Sequence, residues 1–221
     1  MKISILRYCR YRGRKKKALQ RALLIAVLVT MLVLTNAVNF LPGQAMQDIA
    51  DMQNIAELEV IRGFYDNKLK TYRFARQYLV EGDRAVMLCT VGFSPLMGWY
   101  DRDWSTVGTN DGNSLHLAYR GHQQGEAYSG YFFGRLDDEK IASVKLRWRD
   151  GESEDERWCE ETFANDAFFR GENGKRYLLY EAPFGAEDAR WMQEVTACAY
   201  DHAGTLLTEE EVIWYDWGTS E

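Results

Sequence analysis

Residues 22–41, ALLIAVLVTMLVLTNAVNFL, carry no ionisable side chain, and the 21 residues before them carry nine Lys and Arg and no acid. At 1.5 Å of rise per residue, 20 helical residues reach roughly 30 Å, the thickness of a bilayer's hydrocarbon core. The run therefore predicts a membrane-spanning helix over 22–41 rather than a buried core helix. Basic flanks stay on the cytoplasmic side while the remainder is translocated. Residues 1–21, with Lys2, Arg7, Arg10, Arg12 and Arg14 to Lys17 among them, are thus expected to form a cytoplasmic tail. From residue 22 onward 18 basic residues stand against 33 acidic ones, and this acidic portion is expected outside the cytoplasm. The competing reading is a cleaved secretory signal, since Gly43-Gln44-Ala45 is a small-residue cleavage site. The run is longer than the roughly 7–15 apolar residues usual in such signals.

After the run, about 180 residues remain, enough for one domain with its own core. Cys89, Cys159 and Cys198 fall in it, and Cys9 in the tail. Three cysteines leave one over in any pairing. They read either as buried free thiols packing as small apolar groups or as one bridge, for which Cys89 with Cys198 is the candidate because both lie in apolar strand-like runs.

Residues 42–70 place Ile49, Met52, Ala56, Leu58, Ile61 and Tyr65 at roughly three- and four-residue steps, which predicts a membrane-proximal helix, broken or not at Gly63, acting as a stalk. From residue 71 the texture turns to β. YRFARQYLV and RAVMLCTVGF flank Glu81-Gly82-Asp83 as a hairpin. Ser94 to Ser114, rich in Gly, Asp, Asn and Ser, reads as a long loop or a loop with a short strand, its aromatic part running from Leu96 to Asp111. Ile141 to Arg149 alternates Ala142, Val144, Leu146 and Trp148 with Ser143, Lys145, Arg147 and Arg149, the period of a half-buried strand. Asp150-Gly151 turns the chain into a partner strand around GESEDERWCEETF. Further strands are expected at Tyr177–Ala182, Glu194–Tyr200 and Glu211–Trp217, with a turn at Asp201–Gly204. Short strands between Gly and Asp turns predict a mainly β, antiparallel sandwich over 71–221.

The order of features from Phe133-Gly134, through Asp137–Ile141, SVKLRWRDG and an apolar-aromatic strand around Phe163 to Phe169, to Ala199-Tyr200-Asp201, Gly204 and Leu206-Leu207, resembles a known pattern. It is similar to the immunoglobulin-like β-sandwich of uncharacterised exported or membrane-anchored proteins of Gram-positive bacteria. The match covers residues 131–210 and departs from the pattern at an extra Gly171-Glu172-Asn173-Gly174 turn. The resemblance implies a fold and a compartment and brings no catalytic residue, because such sandwiches host many unrelated functions.

Trp99, Tyr100, Asp101, Asp103, Trp104 and Asp111 are the candidate ligand-binding residues, since aromatic faces beside carboxylates suit a sugar or a peptide. Asp101, Asp103 and Asp111 with Asn110 and Asn113 do not match the twelve-residue calcium loop, and no metal site or cofactor is read from the sequence. The histidines, His116, His122 and His202, lack metal-ligand spacing. Glu152 to Glu161 form a solvated acidic cluster beside a turn. Nothing cradles a phosphate, and the basic tail suits anionic lipid rather than nucleic acid. The expectation is a non-enzymatic, membrane-tethered module whose partners are the bilayer and an envelope protein or glycan. Two alternatives stay open: an envelope enzyme acting on carbohydrate or peptide through Asp101 and Asp103, and a sensory or accessory ectodomain whose tail contacts a cytoplasmic partner.

Overall fold

The computed structural model describes residues 16–31, 38–65, 75–95, 98–124, 127–150, 158–164, 167–182 and 192–217. Residues 16–31 form a helix, α1, with every side chain exposed. No helix among the described residues is long and apolar enough to cross a membrane. The expected span over 22–41 is corrected at its C-terminal end, where residues 38–41 are not helical. Asn39 there bridges to Gly98 and Trp99, and Leu41 precedes Pro42, a position from which proline excludes helical backbone. Residues 32–37 lie outside the described set, as do the tail up to Lys15 and the acidic residues 151–157.

Pro42 opens the second helix, α2 (Pro42–Met52), where its missing N–H costs nothing. The Gln44 side chain accepts the N–H groups of Phe40 at 2.7 Å and Leu41 at 3.0 Å. Ala45, Met46, Ile49 and Ala50 make a buried stripe, so α2 is packed on the domain and is not a free stalk. The helix expected to run on to residue 70 ends at Met52, and Glu59–Phe64 is instead a strand, β1. It is an edge strand whose side chains are exposed or half-buried, which leaves no two-residue alternation to read.

Four antiparallel strands form sheet A in the order β1, β2 (Arg76–Glu81), β3 (Ala85–Ser94) and β4 (Gly98–Gly108). β2 and β3 are the expected hairpin, turning at Gly82 and Asp83. β4, by contrast, occupies most of what reads as a loop. Sheet B has the order β13 (Ile213–Trp217), β5 (Leu115–Gln124), β6 (Ala127–Leu136), β10 (Arg176–Glu181) and β9 (Phe168–Arg170). Its β13 runs parallel to β5, an exception to the otherwise antiparallel pairing. Sheet C has the order β12 (Leu206–Glu211), β11 (Met192–Tyr200), β7 (Ser143–Asp150) and β8 (Trp158–Phe163). The apolar-aromatic segment Phe163 to Phe169 is thus divided between sheets C and B, and the strand expected at Glu211–Trp217 is split at Val212.

Alternation along the strands builds three stacked cores. Met87, Cys89 and Val91 face α2, while Val86 and Leu88 on the same strand face sheet B. Sheet B then presents Ala118, Tyr131, Phe133 and Tyr177 to sheet A and Leu117, Tyr119, Phe132 and Leu178 to sheet C. Val144 and Leu146 of β7 complete that last core, as their alternation predicts. The layers run α2, A, B, C, with sheet B covered on both faces. Gly134 is needed inside it: a Cβ there would strike the His116 carbonyl oxygen on β5, which gives the Phe133-Gly134 pair a physical reason.

Candidate functional site

The A–B interface is apolar at its centre and ionic on either side. On β5, Arg120 is 3% exposed in a position the pleat aims at sheet A. Its Nη2 donates to the Asp103 carboxylate of β4 at 2.5 Å and its Nε to the same oxygen at 3.1 Å. Nη1 donates to the Leu88 carbonyl at 3.1 Å and Nη2 also to Thr90 Oγ1 at 2.5 Å. His122 Nδ1 lies 3.4 Å from the same carboxylate oxygen. Burial pushes the Asp103 carboxyl up, but the His122 contact and the Arg120 guanidinium outweigh it and hold the group below its ordinary value.

Toward the opposite end of β5 and β6, Glu81 of β2 is 3% exposed. Arg135 Nη1 donates to it at 2.5 Å and Lys175 Nζ at 2.9 Å. Its second oxygen accepts the Tyr177 hydroxyl and Asn173 Nδ2, the latter at 2.9 Å. Burial raises the Glu81 carboxyl and these donors more than reverse the effect, leaving it lowered. Tyr177 is raised by burial and by the Glu81 charge, so its hydroxyl keeps its proton and donates. Arg135 also grips Asp137 with two donors at 2.6 Å each. Asp137 in turn contacts His116 Nε2 at 3.1 Å, and His116 Nδ1 lies 3.3 Å from Asp111.

Of the candidate ligand residues, Asp103 therefore belongs to a buried ion pair and Asp111 to the His116 contact. Asp101 and Asp103 are two apart, yet a bulge between Thr90 and Val91 sets Asp103 opposite Thr90 and Asp101 opposite Val91. Opposed residues share a face, so the two carboxylates lie on opposite faces of sheet A and form no facing pair of the kind a glycosidase uses. Trp99 and Trp104 are partly buried against the α2 core, with Trp99 also against Phe93 at 5.4 Å between centroids. Tyr100 is half-buried with the Arg102 guanidinium 5.7 Å from its ring centre.

The bridge considered between Cys89 and Cys198 is not formed: Cys89, Cys159 and Cys198 are free thiols. Cys89 packs in the α2–A core and Cys198 in sheet C, with sheet B between them. Burial pushes the Cys89 thiol up to about 12, and burial with the nearby Glu209 raises Cys198. Neither is an activated nucleophile. Among the described residues no group of three or more His, Cys, Asp and Glu is arranged to hold a metal ion.

Arg120, Arg135, Glu81 and Tyr177 carry no motif that marks them in the sequence. The available signal was an arginine at an inward position of a strand whose neighbours are apolar, as in Leu117-Ala118-Tyr119-Arg120, because a buried arginine requires a carboxylate partner. Comparison with known proteins gives no match: no family model, no curated protein and no solved structure resembles the chain.

Proposed function

We propose that the chain is a membrane-tethered, extracytoplasmic interaction or structural module whose sheets B and C form an immunoglobulin-like sandwich. The observation that carries the tether is α1. Leu19, Leu23, Leu24, Ile25, Leu28 and Met31 are 58–71% exposed, and from Ala22 the run holds no charge. Exposed apolar surface on this scale calls for an apolar medium or a partner. The adjoining basic tail selects a bilayer with anionic headgroups and keeps the N-terminus in the cytoplasm.

A binding role rather than a chemical one is supported by the ionic groups. Glu81, Asp103, Arg120 and Arg135 are engaged with one another or their neighbours, and Asp101 faces away from Asp103. The segment resembling exported sandwiches, residues 131–210, supplies nearly all of sheet C and, in sheet B, β9, β10 and most of β6, which supports the same compartment.

The tether is tested by placing charge in it. Arginine near the centre of a spanning helix costs about 2.5–3.5 kcal/mol per residue, so Leu24→Arg with Leu28→Arg is expected to release the chain from membranes on alkaline extraction, while wild type stays in the pellet. Extraction of the wild type into the soluble fraction would remove the basis of the reading.

A further inference from the structure

One end of sheet A gathers exposed aromatic and apolar side chains where the apolar run enters the domain. The Trp99 N–H donates to the Asn39 carbonyl at 2.7 Å, so the last residues of that run are stitched to β4. The register sets Phe93 opposite Trp99, Gly92 opposite Tyr100, Arg76 opposite Val91 and Phe64 opposite Gln77, which brings the same end of all four strands together. Phe40 is 46% exposed there, Leu41 65%, Phe93 40% and Tyr65 57%. Two exposed arginines lie over tyrosine rings at this end, Arg76 over Tyr65 at 5.0 Å and Arg102 over Tyr100 at 5.7 Å. The other end of the sheet differs in chemistry: its turns expose Asp83, Arg84, Asn110 and Asp111.

Tyrosine and tryptophan rings with an apolar body and a polar edge settle at the headgroup level of a bilayer, and arginine stems lie along apolar surface while the guanidinium reaches water or phosphate. We propose that this end of sheet A is a membrane-docking surface. Phe40, Leu41, Phe93 and Tyr65 enter the boundary between headgroups and acyl chains, and Arg76 and Arg102 meet lipid phosphates. The inference rests on the tether reading, and continuity argues for a bilayer as the occupant. Asn39 follows Met31 by eight residues, at most roughly 28 Å of extended chain, so the patch cannot stray far from the surface that a tethered α1 enters. Docking would fix the domain's orientation, turning the polar end of sheet A away from the membrane.

The test uses the full chain with Cys9→Ser and Cys159→Ser, the buried Cys89 and Cys198 left in place. An environment-sensitive fluorophore is attached through Leu41→Cys, Phe93→Cys or, as the control on sheet C, Leu206→Cys. Each protein is reconstituted into vesicles of phosphatidylcholine and phosphatidylglycerol bearing quenchers on shallow acyl positions, and co-flotation with vesicles is scored in the same samples. The expected result is quenching several-fold stronger at positions 41 and 93 than at 206. Co-flotation with equal, weak quenching at all three would overturn docking and leave the tether standing. Failure to float would remove the tether and docking together. Agreement between positions 41 and 93 guards against disturbance of the Phe93–Trp99 contact by one label.

Discussion

The two faces of sheet B are covered in different ways. Toward sheet C the contact is apolar: Leu117, Tyr119, Phe132 and Leu178 meet Val144, Leu146, Ala197 and Ala199. Toward sheet A the apolar centre of Leu88, Ala118 and Phe133 is flanked by Arg120 on Asp103 and Arg135 on Glu81. Apolar contact is non-directional and scales with area, so the B–C core stabilises the stack while accepting small sliding adjustments. Buried ion pairs add less net stability than an apolar replacement, yet they tolerate few geometries. The difference assigns bulk stability to the B–C face and the register of the outer layer, with α2 packed on it, to the A–B face.

The largest expected effects come from breaking each face. Glu81→Ala leaves Tyr177 and part of Arg135 buried without a carboxylate, and a loss of about 3–5 kcal/mol is expected in urea unfolding of the detergent-solubilised chain. Phe132→Ala opens a cavity in the B–C core for a similar loss of about 3–5 kcal/mol. The two should separate by hydrogen exchange, with Glu81→Ala raising exchange in β2 and β3 while β7 and β11 stay protected. Equal loss of protection throughout would erase the distinction between the faces.

The Asp103–Arg120 pair sharpens it next. Asp103→Leu or Arg120→Met alone should each cost about 3–5 kcal/mol, whereas the double replacement should recover most of that loss. Additive losses would mean that the pair is not acting as a unit. Acid should also discriminate. Glu81 and Asp103 have folded-state values below their ordinary ones, so their contribution is complete above the unfolded carboxylate range of about 4 and is lost as pH falls through the folded values. Sheet A should loosen below about pH 4 before the B–C core does, read by exchange in β2 and β7 at stepped pH. The smallest effect belongs to Glu139→Gln, which breaks an exposed pair with Arg170 at 2.5 Å. No measurable change in the unfolding midpoint is expected, because solvent screens such pairs.

What the sequence discloses follows from how each strand is covered. β7 was legible because Val144 and Leu146 face a core while Lys145 and Arg147 keep a polar face. β5 and β6 give no strand signal, since sheet B is buried on both faces and the alternation of apolar with polar is lost. β4 reads as a loop because Asp103 and Ser105 are polar residues facing inward, where Arg120 on the neighbouring sheet receives Asp103. Asp103 reads as a ligand candidate from its loop-like neighbours, whereas the structure pairs it with Arg120 on another sheet, and no local spacing links the two. Cys89 and Cys198 occupy similar apolar runs and yet different layers, which is tertiary information. The aromatic end of sheet A is of the same kind: Tyr65, Phe93 and Trp99 are scattered in sequence and share one end of the sheet only through strand register.

The central claim is topological, and limited proteolysis of intact cells and spheroplasts, with the mass of the membrane-bound species read alongside, tests it most directly. Full-length protein is expected in the membrane fraction, with residues beyond 42 cleaved by external protease and the basic tail protected. A soluble species beginning near Met46, or a domain that external protease never reaches when the outer barriers are removed, would contradict it.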